Sequence, residues 1–84
     1  MAGELPPNDI RRFKGEEIIG IKNVPRLTDL FLRPPTKETV LAWHTRGIWV
    51  ARLKERFHLR ARREGGEYVT SVEAVVEFLE AINR

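Results

Sequence analysis

Phe57-His58-Leu59-Arg60-Ala61-Arg62-Arg63-Glu64-Gly65-Gly66-Glu67-Tyr68-Val69 decides the fold class. From Phe57 to Arg62 apolar and polar residues alternate, the period of a strand with one face in a core and the other in water. Phe57, Leu59 and Ala61 then share the inner face, and Arg56, His58, Arg60 and Arg62 the outer one. The alternation runs into Gly65-Gly66, which take the positive φ of a tight hairpin with no Cβ penalty. Glu67 to Val69 is the returning strand. The pattern predicts a hairpin whose first strand spans about residues 56–63.

The charge is concentrated in and around this stretch. Arg46 to Arg63 holds Arg46, Arg52, Lys54, Arg56, Arg60, Arg62 and Arg63 against the single acid Glu55, a local net of +6 in a chain whose formal net charge is +3. Residues 1–45 are about neutral, with seven Lys/Arg against six Asp/Glu, and residues 67–84 carry a net of −3. A block of one sign on one hairpin repels itself unless something anionic lies against it, which points to a nucleic acid. The competing reading is internal. Glu73, Glu77 and Glu80 are numerous enough to pair with some of these arginines, each exposed pair adding only about 0–1 kcal/mol.

Upstream, Thr36 is placed to cap a helix running from Lys37 to about Arg46, and Gly47 to end it in the left-handed conformation. Val40, Trp43 and His44 share one face of this helix, with Glu38, Leu41, Ala42 and Thr45 on or near the other. A shorter helix is expected before it, from about Val24 to Leu32. Asn23 would cap it and Pro25 would sit in its first turn, where a missing N–H costs nothing. Arg33-Pro34-Pro35 ends it. Ile48 to Leu53 is apolar but has no clear period. Downstream, Thr70-Ser71-Val72-Glu73 fits a capping box, with Thr70 as the cap and Glu73 reaching back. Val72, Val75, Val76, Leu79 and Ile82 then form the apolar stripe of a third helix, with Glu73, Glu77 and Glu80 outside. Ile10 to Lys22 reads either as a short strand or as an extended, mildly basic arm carrying Arg11, Arg12 and Lys14. The order helix, turn, helix, β-hairpin, helix predicts an α+β fold, a small winged helix-turn-helix domain over residues 23–84. Residues 1–22 are expected to be a partly disordered N-terminal tail or arm.

Composition narrows the function classes. A chain of 84 residues makes one small domain. It has no Cys, which removes disulfides and Cys-based zinc sites, and its two His and unclustered carboxylates argue against a structural metal. Its apolar runs fall far short of the roughly 20 residues of a membrane span. Met1 to Pro7 has no basic region followed by an apolar one, so a cytoplasmic location is expected. No Gly-rich phosphate loop, Ser/His/Asp set or HExxH motif appears, so neither an enzyme nor a cofactor-binding protein is expected.

In helix-turn-helix proteins the second helix enters the major groove and its N-terminal residues approach base edges. The candidate DNA-binding residues on that helix are Thr36, Lys37, Glu38, Leu41, Ala42, Thr45 and Arg46. Lys37 suits a guanine edge or a phosphate, Glu38 the cytosine amino group, and Leu41 and Ala42 thymine methyls. Thr36 can cap the helix and still sit where a helix N-terminus binds phosphate. On the hairpin the candidates are Arg56, His58, Arg60, Arg62, Arg63, Gly65 and Gly66. The strand residues would track a backbone, and Arg62, Arg63 and the glycine tip would reach phosphates or a narrowed minor groove. Trp43 is expected in the core, and Trp49 also, though more open. His44 reads as a satisfied residue at the core edge rather than a ligand.

Thr36-Lys37-Glu38-Thr39-Val40-Leu41-Ala42-Trp43-His44-Thr45-Arg46-Gly47-Ile48 resembles the helix-turn-helix segment of excisionases and MerR-like winged-helix domains. Gly65-Gly66-Glu67-Tyr68-Val69-Thr70-Ser71 is similar to the wing and the strand-to-helix junction of that group. The likeness covers about residues 24–83. Two features depart from it: the stretch between Gly47 and the wing strand is longer than in most small excisionases, and the first helix lacks the usual Thr-x-x-Glu-Ala-Ala opening. The resemblance implies a sequence-specific double-stranded DNA-binding protein, a recombination directionality factor that bends DNA to assist an integrase and associates cooperatively with itself on DNA. A small transcriptional regulator or a phage DNA-packaging adaptor of the same fold is the alternative. A winged-helix protein-interaction module that binds no DNA is a third reading, with the acidic last helix as its contact face.

Overall fold

The computed structural model describes residues 15–84. The fold is α+β. Strand β1 (Ile18–Gly20) leads into two 3-10 segments, Ile21–Arg26 and Thr28–Leu30. Helix α1 (Lys37–Thr45) follows, then strands β2 (Ile48–Val50), β3 (Glu55–Phe57), β4 (Arg62–Glu64) and β5 (Glu67–Ser71), and last helix α2 (Val72–Ile82). The strands form two antiparallel sheets. One has the order β1-β5-β4 and the other is the β2-β3 hairpin. In the first, Ile19 lies opposite Thr70, and Arg63 opposite Tyr68; in the second, Trp49 lies opposite Arg56.

Helix α1 has the expected ends. The Thr36 hydroxyl accepts from the Thr39 N–H at 3.2 Å, and Gly47, at φ +73°, turns the chain away. The element before α1 differs from expectation. It begins at Ile21 rather than Val24, has Gly20 rather than Asn23 at its N-cap, and is 3-10. Pro25 lies inside the segment and has no N–H to give an i→i−4 ladder. The chain instead closes three-residue turns, with Leu27 N–H on the Val24 carbonyl and Leu30 N–H on that of Leu27, both at 3.0 Å. Of the two readings of the stretch before Lys22, a short strand or an extended arm, Ile18 to Gly20 take the first and form an edge strand on β5. The basic residues Arg11, Arg12 and Lys14 lie outside the described residues.

The single strand expected over residues 56–63 is two strands in different sheets. The inward face is as the alternation predicts, with Leu59 and Ala61 buried and Phe57 half-buried. The ladder breaks because α1 takes the Leu59 backbone. Leu59 N–H donates to the Trp43 carbonyl at 3.0 Å, and the His44 ring Nδ1 donates to the Leu59 carbonyl at 2.9 Å. With its one N–H donated to a helix end and its carbonyl held there by His44, Leu59 is drawn out of the strand ladder. Ile48 to Val50, from the run that showed no period, pairs with β3 instead.

Strand β5 runs into α2 with no loop between them. The cap of α2 is Ser71, one residue later than expected: its hydroxyl accepts from the Ala74 N–H at 2.9 Å. Thr70 is spoken for, since its hydroxyl donates to the Arg60 carbonyl. Glu73 does not reach back to the cap; its carboxylate accepts from the Glu17 N–H at 2.9 Å. The buried stripe of α2 is accordingly Ala74, Val75, Phe78 and Ala81, with Val72, Val76, Leu79 and Ile82 along its margins. Ala74, Val75 and Phe78 close on Ile21, Val24, Val40, Leu59 and Ala61 to form one core, with Leu79 and Ile82 packed against it. Trp43 stacks at its edge between Phe31 and Phe78, with ring centroids 6.1 and 5.2 Å away, distances at which aromatic pairs attract.

Candidate nucleic-acid interface

Helix α1 is anchored by Val40, which is fully buried, and turns its other side outward. Lys37, Glu38, Thr45 and Arg46 are exposed and Ala42 is half-buried; Glu38, Thr39, Leu41, Ala42, Thr45 and Arg46 line one shallow face, and Lys37 stands beside it. Leu41 is half-buried and packs on the core edge. It lines a groove of about 330 Å³ between α1 and β5, together with Ile21, Lys22, Lys37, Glu67 and Tyr68. The threonine hydroxyls are already engaged. Thr45 donates to the Leu41 carbonyl at 3.2 Å, and Thr36 and Thr39 bond each other at 3.1 Å. Lys37, Glu38 and Arg46 are the polar groups of this face with their charge turned to solvent.

The β4-β5 hairpin carries the Gly65-Gly66 tip at φ +58° and +87°, open on all sides. Its charges nearly cancel. Arg62 and Arg63 stand against Glu64 and Glu67, and Arg62 Nη2 lies 2.8 Å from Glu64 Oε2. Glu67 is 3.6 Å from Lys22 Nζ. Arg63 is exposed and lies over the Tyr68 ring, 5.8 Å from its centroid.

Arg60 does not lie on an open strand face. Its side chain is 15% exposed, with Nε 2.9 Å from Glu77 Oε1 and Nη2 3.2 Å from Glu16 Oε1. Glu16 also accepts from the Ser71 hydroxyl. The internal reading of the arginine block therefore applies to Arg60: it ties the chain before β1 to the middle of α2. Arg56 and His58 turn to the end of α1, where Arg56 Nη1 donates to the Arg46 carbonyl at 3.0 Å and His58 Nδ1 to the His44 carbonyl at 2.9 Å. Both groups answer carbonyls that the end of α1 leaves without intrahelical donors.

The excess positive charge sits elsewhere. Arg46, Arg52, Lys54 and Arg56 surround the β2-β3 hairpin against the one acid Glu55. All four are exposed, and among the described residues none of them forms an ion pair. Trp49, expected to lean into the core, is 53% exposed on this hairpin, directly opposite Arg56. The sequence reading missed the hairpin because its turn, Ala51 to Lys54, contains no Gly, Asn or Pro. The usable signal was Ile48-Trp49-Val50, a β-branched and aromatic run of strand length. Among the described residues no helix is long and apolar enough to cross a membrane, and no three His, Cys, Asp or Glu side chains are grouped to hold a metal ion.

Comparison of the chain with protein-family models, with curated proteins and with solved structures finds no match in any of the three.

Proposed function

We propose that the protein binds double-stranded DNA as a winged helix-turn-helix, with α1 as the reading helix and the β4-β5 hairpin as the wing. The observation that carries this reading is the outward side of α1. A capped helix, fixed by Val40 and Trp43, holds Lys37, Glu38, Ala42, Thr45 and Arg46 on a face the core does not use. Side chains of this kind along the open face of a capped helix suit base edges, while arginines beside it suit phosphates. The role that goes with the reading is that of an excisionase-like factor, bending DNA for an integrase.

Binding to duplex DNA, titrated with salt, tests it. Phosphate contacts predict a fall in log K with log salt of about 0.9 per phosphate neutralised. Lys37→Ala or Glu38→Ala changes which sequence is preferred. Arg63→Ala weakens all sequences alike, and Arg62→Ala does so less, because Arg62 is held by Glu64. A flat salt response, or no binding at low salt, sinks the reading. An excision assay with the cognate integrase tests the finer role: stimulation supports it, and DNA binding without stimulation points to a repressor.

A further inference from the structure

We propose that the β2-β3 hairpin is a second DNA-binding arm, gripping the sugar-phosphate backbone beside the segment read by α1. Lys54 and Arg56 supply the charge and Trp49 lies flat against the deoxyribose edge. The inference rests on the duplex-DNA reading and adds to it a contact made by neither the reading helix nor the wing.

Three observations carry it. The first is charge. Residues 46–57 hold four basic side chains against Glu55, a net of +3, whereas Arg62, Arg63, Glu64 and Glu67 on the β4-β5 hairpin sum to zero. The anionic partner implied by the basic block therefore faces the β2-β3 side more strongly than the wing. The second is Trp49. An indole 53% exposed on a strand, with Arg56 as its cross-strand partner, is a flat apolar surface on a basic hairpin. That combination suits a sugar edge and its phosphate, where apolar and anionic groups alternate along a strand. The third is the turn. Lys54 takes φ +52°, the left-handed region in which a side chain other than Gly is strained. A lysine held there by Lys54 N–H on the Ala51 carbonyl at 3.1 Å gives up local stability to keep a cation at the hairpin tip, and strain of this kind gathers at binding sites.

The placement fits one continuous duplex. Gly47 joins α1 to β2 directly, and Arg56 bonds the Arg46 carbonyl at the end of α1. The hairpin thus projects from the C-terminal end of the reading helix, while the β4-β5 hairpin flanks that helix at Tyr68, whose ring is 5.7 Å from that of His44. Arg52 fixes the arm from behind, donating to the Ile82 carbonyl at the end of α2 at 3.2 Å.

The test compares the intact chain with Lys54→Gly, with Lys54→Gly plus Arg56→Gln, and with Trp49→Ala, each titrated onto a duplex of random sequence at several salt concentrations. Lys54→Gly relieves the positive φ, so its melting temperature stays level or rises while its affinity falls. A folding defect cannot produce that pair of results. The double variant lowers the salt slope by about 1.8, two phosphate contacts. Trp49→Ala weakens binding at least 5-fold and abolishes the quenching of tryptophan fluorescence by DNA. If the intact chain binds with a steep slope and these variants match it, the arm makes no DNA contact and the inference falls while the DNA reading stands. The hairpin is then a surface for another protein. If the intact chain does not bind duplex DNA, both fall together.

Discussion

Replacing Arg60 by glutamine separates an arginine that holds the fold from one that the proposed function gives to DNA. Arg60 and Glu16 are 15% and 23% exposed, and their atoms lie 3.2 Å apart. Removing one partner of a fully buried pair costs about 3–5 kcal/mol, because the other is left charged in a poor solvent. Here water still reaches the edge of Glu16, and the Ser71 hydroxyl continues to donate to it, which brings the cost to about 2 kcal/mol. The second partner, Glu77, is 66% exposed, and its pair adds only about 0–1 kcal/mol. In a domain of this size 1 kcal/mol moves the melting temperature by about 4–8 °C, so Arg60→Gln is expected to lower it by about 8–16 °C. Circular dichroism at constant ionic strength reads the shift. Well below the new melting temperature, the salt slope for duplex DNA should equal that of the unaltered chain. Arg63→Gln gives a different pattern, a smaller fall in melting temperature of about 2–8 °C and a shallower slope, since only an exposed cation–π contact of about 0.5–1 kcal/mol is lost. A loss of under about 4 °C for Arg60→Gln, with a reduced salt slope, refutes the assignment of Arg60 to the interior.

Two glycines that share a positive φ should respond differently to alanine. At Gly47 a Cβ would lie 2.5 Å from the Phe57 carbonyl oxygen, so the backbone of β3 must move, whereas at Gly65 nothing lies within 4 Å. Gly65→Ala should cost about 1–2 kcal/mol from the left-handed conformation alone, and Gly47→Ala about 3 kcal/mol or more, read as the shift in urea midpoint at constant m. Ser71→Ala removes both the cap of α2 and a donor to Glu16, for an expected loss of about 1–2 kcal/mol; Ser71→Thr should recover most of it, and a Ser71→Ala chain as stable as the unaltered one would mean that the cap is elsewhere.

The parts of the fold legible in the sequence are those whose signals are local. Thr36 and Gly47 bracket α1 through contacts within one turn, and the Gly65-Gly66 tip announces its hairpin without reference to anything distant. The alternation of Phe57, Leu59 and Ala61 correctly gave the buried side, because burial follows side-chain period. It misjudged the hydrogen-bond ladder, because the groups that capture Leu59 belong to Trp43 and His44, 16 and 15 residues earlier. The one-residue shift from Thr70 to Ser71 at the cap has the same origin. Both side chains can cap, and the choice is made by Arg60 and Glu16, which no local pattern connects to this position. For the candidate interface, residue type showed that the block was basic but not how its charge divides. Arg60 turns inward and Arg62 is neutralised by Glu64, so the density moves to a hairpin whose turn lacks the usual turn residues.

Leu59 has one more consequence. With its N–H and C=O both pinned to α1, it acts as a fixed stop between two ladders that share no strand. A slip of register in β3 ends there and cannot propagate into β4. The Ala51 to Lys54 turn can therefore lengthen or shorten by pairs of residues while the three-stranded sheet keeps its pairing. In evolution or in design, the reach of one arm is a variable that can be set without retuning the other.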